Sequence, residues 1–338
     1  WNIKSIYLGR SRTTFSVKYS KEGTKNVIPF DSSERFEEWI EKGLIRYSQG
    51  KYVSHIEKTE DNLCAVIECG NDIIKKQYDI IYLASGCINT TAIVDKSIYG
   101  EGERKYTLKT VPYLTQILLR IPRVFPKIII NTLPGNDSYG LCKYFLEQKN
   151  SFSDHLWSHT QIGELNRLII GKINSFIGFK LPILISVIKN IFWFSITTFH
   201  SNLAKESSLI SSVIQKDNKY KQVIEINESE CNCKNYRYIG NKLAILSKFS
   251  ELNLIPLPFS KLIEEKISSN KLGNWHFGGT LPMKKNGKMP TDCLPTGELK
   301  GMSSVFVVDT ASFPSIPGTT VGLLTMANAY RITRNSLL

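Results

Sequence analysis

Val305-Phe-Val-Val-Asp-Thr-Ala-Ser-Phe-Pro314 is the stretch that decides how this chain is read. Val305–Val308 is a short apolar run rich in β-branched residues, which suits a strand buried inside a sheet. Asp309 stands at its C-terminal end, where open α/β sheets bind ligands. The loop Thr310–Gly318 carries two prolines and delivers the chain to an apolar helix from about Val321 to Arg334. Thr319 or Thr320 can serve as its N-cap. Such a helix start offers free N–H groups and a partial positive charge, which stabilise an acceptor that gains negative charge. The plainer reading is a strand–loop–helix that closes an α/β domain.

Working outward, Tyr78–Ala84 is the second run of this kind. It stops at Ser85-Gly86, and Ile88–Val94 begins a helix. Both strands end at candidate binding loops, so they are expected to lie in one sheet despite their distance in sequence. Before them, Ser33–Lys42 reads as a short helix with Phe36, Trp39 and Ile40 on one face and Gly43 as its stop. Leu44–Tyr47, Lys51–Lys58 and Leu63–Glu68 read as a small antiparallel meander. The middle of the chain mixes β-like runs (Lys127–Asn131, Lys221–Asn227) with expected helices at Leu165–Phe176 and Tyr238–Leu252. Phe176–Phe199 is strongly apolar, but Lys180, Pro182 and Lys189 interrupt it. It is too broken to span a bilayer and is read as a buried helix followed by a buried strand.

Lys and Arg exceed Asp and Glu by 13 over the 338 residues, yet acids are interspersed and no long basic run exists. Nucleic acid is therefore not expected as a partner. Seven scattered cysteines fit a reducing compartment, taken here as the cytoplasm, better than a disulfide framework. The chain begins at Trp1 rather than Met, so a fragment or a processed product is expected; no signal peptide is visible.

Three blocks together resemble the glucose–methanol–choline oxidoreductase family. They are Tyr78–Val94; Asn274-Trp-His-Phe-Gly-Gly-Thr-Leu-Pro-Met283; and Val305–Pro314 continued by Leu324-Thr-Met-Ala-Asn-Ala-Tyr-Arg331. The resemblance implies an α/β plus α+β architecture. Residues 1–104 and 291–338 would be the remainder of a Rossmann-like FAD-binding domain with a β-meander. Residues 105–290 would form a substrate-binding α+β domain with a mixed or antiparallel sheet. It implies FAD as cofactor and oxidation of a CH–OH group of a small alcohol or sugar, with no metal. His276 would take the hydroxyl proton while hydride leaves for flavin N5. Asp309 would lie against the ribityl and pyrophosphate region, Val321 and Gly322 near the ring, Ser85, Gly86 and Thr319 beside the cofactor, and Val53 at the adenine.

Two departures stand out. No G-x-G-x-x-G is present, since Gly100-Glu-Gly102 lacks the third glycine and a preceding strand. The chain is thus expected to be the C-terminal portion of such an enzyme. The family's second catalytic position, usually His or Asn, falls on Thr319 or Thr320, with Thr320 favoured; a threonine hydroxyl can hydrogen-bond a substrate oxygen but is no base at neutral pH. Weaker signals are His155 and His159, four apart as on a metal-binding helix but lacking the intervening Glu, and the isolated Cys231-Asn-Cys233 pair. The competing readings are a non-catalytic remnant and a membrane-surface or interaction protein that retains the fold.

Overall fold

The computed structural model describes residues 6–8, 14–18, 28–29, 33–59, 62–69, 72–111, 113–120, 144–150, 153–164, 192–199, 207–216, 219–227, 254–256, 276–318 and 321–337. The fold is mixed, with several antiparallel sheets and few helices. β1 (Ile6–Leu8), β2 (Thr14–Lys18) and β3 (Ile28–Pro29) pair antiparallel. Helix α1 (Ser33–Glu41) follows where the spacing predicts it. Its apolar face is not buried: Phe36 and Trp39 are 37% and 43% exposed.

The meander is β4 (Tyr52–Lys58), β5 (Leu63–Cys69) and β6 (Asp72–Tyr78), with β5 in the centre. This corrects the expected set of strands. Leu44–Tyr47 does not join the ladder, because the N–H groups of Leu44 and Ile45 both donate to the Trp39 carbonyl and close the end of α1. The third strand is β6, whose last residue Tyr78 pairs with Leu63. The run read as one strand over Tyr78–Ala84 is therefore split by a bend at Asp79, leaving β7 (Ile81–Leu83).

β7 lies parallel to β18 (Met302–Val307), with Ile81, Tyr82 and Leu83 opposite Val305, Phe306 and Val307. The Val308 N–H extends the ladder to the Leu83 carbonyl at 3.0 Å. The two expected strands thus share one sheet, completed by the short antiparallel β17 (Glu298–Leu299).

Helix α2 (Cys87–Tyr99) leaves the end of β7. Thr90–Asp95 are all buried, so its middle is enclosed on every side, and it packs against β4 and the 310 turn Thr310–Ser312. Ile93 and Val94 sit in one apolar cluster with Ile56, Leu83, Val305 and Val307. Each such side chain contributes roughly 1.5–3 kcal/mol by leaving water.

The same cluster reaches Leu108 of β8 (Gly102–Thr110) and Leu209 of β13 (Ser207–Lys216). β8 and β13 are the inner strands of an antiparallel sheet flanked by β14 (Lys219–Asn227) and β16 (Phe277–Gly278). A five-stranded antiparallel sheet contains β9 (Tyr113–Arg120), β10 (Tyr144–Asn150), β11 (Ser153–Glu164), β12 (Phe192–Phe199) and β15 (Leu254–Pro256), in the order β10-β11-β12-β9-β15.

β12 is the strand expected at the end of the apolar segment, with Trp193 and Ser195 buried; residues 176–191 lie outside the described residues. So do the expected elements at Lys127–Asn131, Leu165–Phe176 and Tyr238–Leu252, and the Cys231–Cys233 pair. His155 and His159 stand on β11, not on a helix. Four residues of strand separate their Cα atoms by roughly 13 Å, which rules out a shared metal ion. Among the described residues no group of three or more His, Cys, Asp or Glu could hold one.

Helix α3 (Gly322–Ser336) is capped by Val321 without a side-chain bond, rather than by Thr319 or Thr320, which lie outside the described residues. Only Ile332 of it is buried. Among the described residues no helix is long and apolar enough to cross a membrane.

Asp95 is fully buried in α2 and anchors it to the neighbouring sheet. It accepts from the Tyr106 hydroxyl of β8 at 2.5 Å and the Ser211 hydroxyl of β13 at 2.7 Å, with the Arg104 guanidinium at 3.7 Å. Burial, then the bond to Asp95, raise the Tyr106 phenol pKa, so it stays a donor. Removing one partner of such a buried ionic group is costly because the others are left uncompensated. Asp95→Ala is expected to lower unfolding free energy by about 3–5 kcal/mol in denaturant titrations, and Asp95→Asn, which keeps the shape, by distinctly less.

Candidate functional site

The parallel pair β7/β18 delivers two chain segments to the same edge. β7 runs into Ala84-Ser85-Gly86, all exposed, and then α2. Gly86 has φ 83° and ψ 152°, a region open in practice only to glycine. A Cβ built on it would meet nothing within 4 Å, so the turn faces open space. β18 runs into Asp309, whose carboxylate is buried and accepts three hydrogen bonds. Oδ2 accepts from the Gly86 N–H at 2.9 Å and the Thr90 hydroxyl at 2.5 Å, and Oδ1 accepts from the Ala311 N–H at 2.9 Å.

Gly86 is the N-cap of α2 and can offer no side-chain acceptor of its own. Asp309 supplies it from the neighbouring strand, placing a carboxylate where the helix dipole favours negative charge. Burial pushes the Asp309 pKa up; the bonds from Thr90, Ala311 and Gly86 pull it back but do not cancel the rise. A carboxylate has about four acceptor positions, so three donors leave one for a ligand.

The block after His276 is locked onto the same point. Gly279, Leu281 and Met283 donate backbone N–H groups to the carbonyls of Thr310, Ala311 and Ser312 at 3.0, 2.9 and 2.8 Å. A Cβ on Gly278 would stand 2.6 Å from the Thr310 carbonyl oxygen and 2.3 Å from Ile316 Cδ1. The first glycine of the pair is thus demanded by close packing between these segments. Thr280 then bonds the Thr91 hydroxyl at 2.6 Å and lies 3.3 Å from Cys87 Sγ, both on α2. Burial raises the Cys87 thiol to about 12, so it is no nucleophile at neutral pH.

Ser85, Gly86 and Asp309 therefore come together as the sequence suggests, and the segment led by His276 lies against them. Val53 stands on β4, beside a register shift between Val53 and His55. Val321 is buried with Val111, Phe313 and Ile316, so it can offer only its backbone to a ligand. Gly322 is the first residue of α3, which has no acidic residue in its first turn. The expected second catalytic position, Thr319 or Thr320, lies outside the described residues. Thr90, Thr91 and Thr280 were not singled out; the signal available was adjacent threonines at a helix start.

His276 is half-buried. Burial lowers its pKa, so the neutral imidazole with a free lone pair dominates at pH 7.

No family model and no curated protein matches the chain. Among solved structures it is similar to pyridoxine 4-oxidase from Mesorbium loti, at 12% identity and a TM-score of 0.47, over 84% of this chain and 57% of that one. A second is an FAD-dependent oxidoreductase from Chaetomium thermophilum, at 12% identity and a TM-score of 0.44, over 88% and 62%. The chain spans less than two thirds of either, and at TM-scores below 0.5 neither likeness defines its fold.

Because folded His276 holds a pKa below the unfolded value of 6.5, the unfolded chain binds the proton first as pH falls. Its stabilising contribution is full above pH 6.5 and is lost as pH drops through the folded pKa. His55, also lowered by burial, adds to the same slope. Denaturation midpoints of the parent are expected to fall below pH 6.5, and His276→Asn to flatten that fall without abolishing it.

Proposed function

We propose that this chain is part of a flavin-dependent oxidoreductase acting on a CH–OH group of a small alcohol or sugar. The observation that carries the reading is the joint at the C-terminal edge of the parallel pair, where Asp309 of one strand caps the helix leaving the other. It brings together the three segments on which the family resemblance rests. The division into residues 1–104 with 291–338 and residues 105–290, as cofactor and substrate domains, belongs to the same proposal, as does a reducing cytoplasmic setting. The four described cysteines, all free, support the latter.

The residues present fit such a cofactor. The glycine-only turn at Gly86 opens into free space, so a bulky group can approach its backbone. Asp309 retains one acceptor position for a ribityl or ribose hydroxyl. Among the described residues no side chain caps α3, so its first N–H groups and dipole suit an acceptor near Val321 and Gly322. Val53 is proposed for the adenine end. When bound, FAD supplies the hydride acceptor. His276 takes the substrate hydroxyl proton on a neutral ring nitrogen, with Thr320, or Thr319, donating to the same oxygen.

A second reading is a non-catalytic remnant or an interaction or membrane-surface protein. Exposed Leu323, Leu324, Met326 and Tyr330 on α3 favour it.

Titration of the full-length protein with FAD separates the two. The flavin reading expects saturable quenching of flavin fluorescence and dye reduction with alcohols or sugars. His276→Ala is expected to cut turnover by roughly two to four orders of magnitude while FAD stays bound. A protein that never takes up FAD supports the second reading. Unchanged turnover removes His276 from the mechanism.

A further inference from the structure

The hydroxyl of Thr90 occupies a position that neither the sequence nor the proposed reaction assigns. Thr90 is fully buried in the first turn of α2. Its Oγ1 accepts the Ser85 N–H at 3.2 Å and donates to Asp309 Oδ2 at 2.5 Å. Gly86, between the two, donates its own N–H to the same Oδ2 at 2.9 Å. The two successive N–H groups of the exposed turn are thereby tied, one directly and one through Thr90, to a single carboxylate oxygen.

A hydroxyl has one proton to give. Once Asp309 takes it, the Oγ1 lone pairs face the Ser85 N–H, so the direction of each bond is fixed. Gly86 has no Cβ to limit its backbone, and nothing within 4 Å of a built Cβ packs against it. The open conformation of the turn therefore depends on these bonds rather than on packing.

We infer that Thr90 is a positioning residue for cofactor binding, holding the Ser85-Gly86 turn open by coupling it to Asp309. The inference rests on the flavin reading for its consequence but not for its geometry.

Its test uses Thr90→Val, which keeps the shape and removes the hydroxyl, and Thr90→Ser, which restores it. Thr90→Ala replaces the valine variant should that fail to fold. Amide hydrogen exchange of Ser85 and Gly86, measured in the protein without added FAD, reads the turn alone. It is expected to quicken about ten- to a hundredfold in Thr90→Val, the worth of a hydrogen bond to a charged group, and to return to parent rates in Thr90→Ser. FAD affinity, measured by fluorescence quenching, is expected to fall by about tenfold or more in Thr90→Val and recover in Thr90→Ser. Exchange unchanged in Thr90→Val overturns the positioning role. Faster exchange with unaltered FAD affinity overturns the link between turn and cofactor. A full-length parent that takes up no FAD, with exchange behaving as expected, overturns the flavin reading and leaves the tether standing.

Discussion

One buried carboxylate organises this molecule. Asp309 ends β18, the strand beside β7, and reaches across to cap the helix that β7 feeds. Without a side chain at Gly86, the start of α2 has no acceptor of its own. An aspartate from a distant part of the chain makes that good, at the cost of burying a charge. The cost is offset because every donor it meets is fixed: two backbone N–H groups and one threonine hydroxyl. Once that joint is set, the 310 turn after Asp309 offers three carbonyls in a row, and the segment following His276 pairs with them. The order of dependence runs from strand pair, to helix cap, to the placement of a candidate base.

α2 is held at its other side by a second buried carboxylate. Asp95 binds Tyr106, Ser211 and Arg104 from β8 and β13. The helix is thus tied near its start to the β7/β18 pair and further along to the antiparallel sheet. Its apolar middle fills the space between, in one core cluster with both. A helix so enclosed transmits a shift at one tie to the other, because close-packed interiors deform little.

Much of this was legible in the sequence. Val305–Val308 and the end of the Tyr78–Ala84 run announce themselves as buried strands by their β-branched apolar residues, and Asp309 by its position after one. Their membership of one sheet follows from their shared ending at candidate binding loops; that they pair directly is seen only in the structure. What the sequence hid has physical reasons. Leu44–Tyr47 carries strand-like residues, but their N–H groups close α1 instead. Tyr78 belongs by composition to the following strand and by pairing to β6. The helix cap lies at Val321, one residue past the expected threonines. Thr90, Thr91 and Thr280 read as ordinary polar residues, because a hydroxyl's role is decided by its partners in space. Asp95 left a trace: a carboxylate following Thr-Ala-Ile-Val demands partners once the helix is buried.

The most direct measurement of this account is a double-mutant cycle between Asp309→Ala and Thr90→Val, read as unfolding free energy. If Asp309 staples the turn and the helix together through Thr90, the two losses must overlap. The account predicts a coupling of about 1 kcal/mol or more, since the second change removes a bond the first has already broken. Losses that add within roughly 0.3–0.5 kcal/mol would show the two residues acting independently and would contradict it.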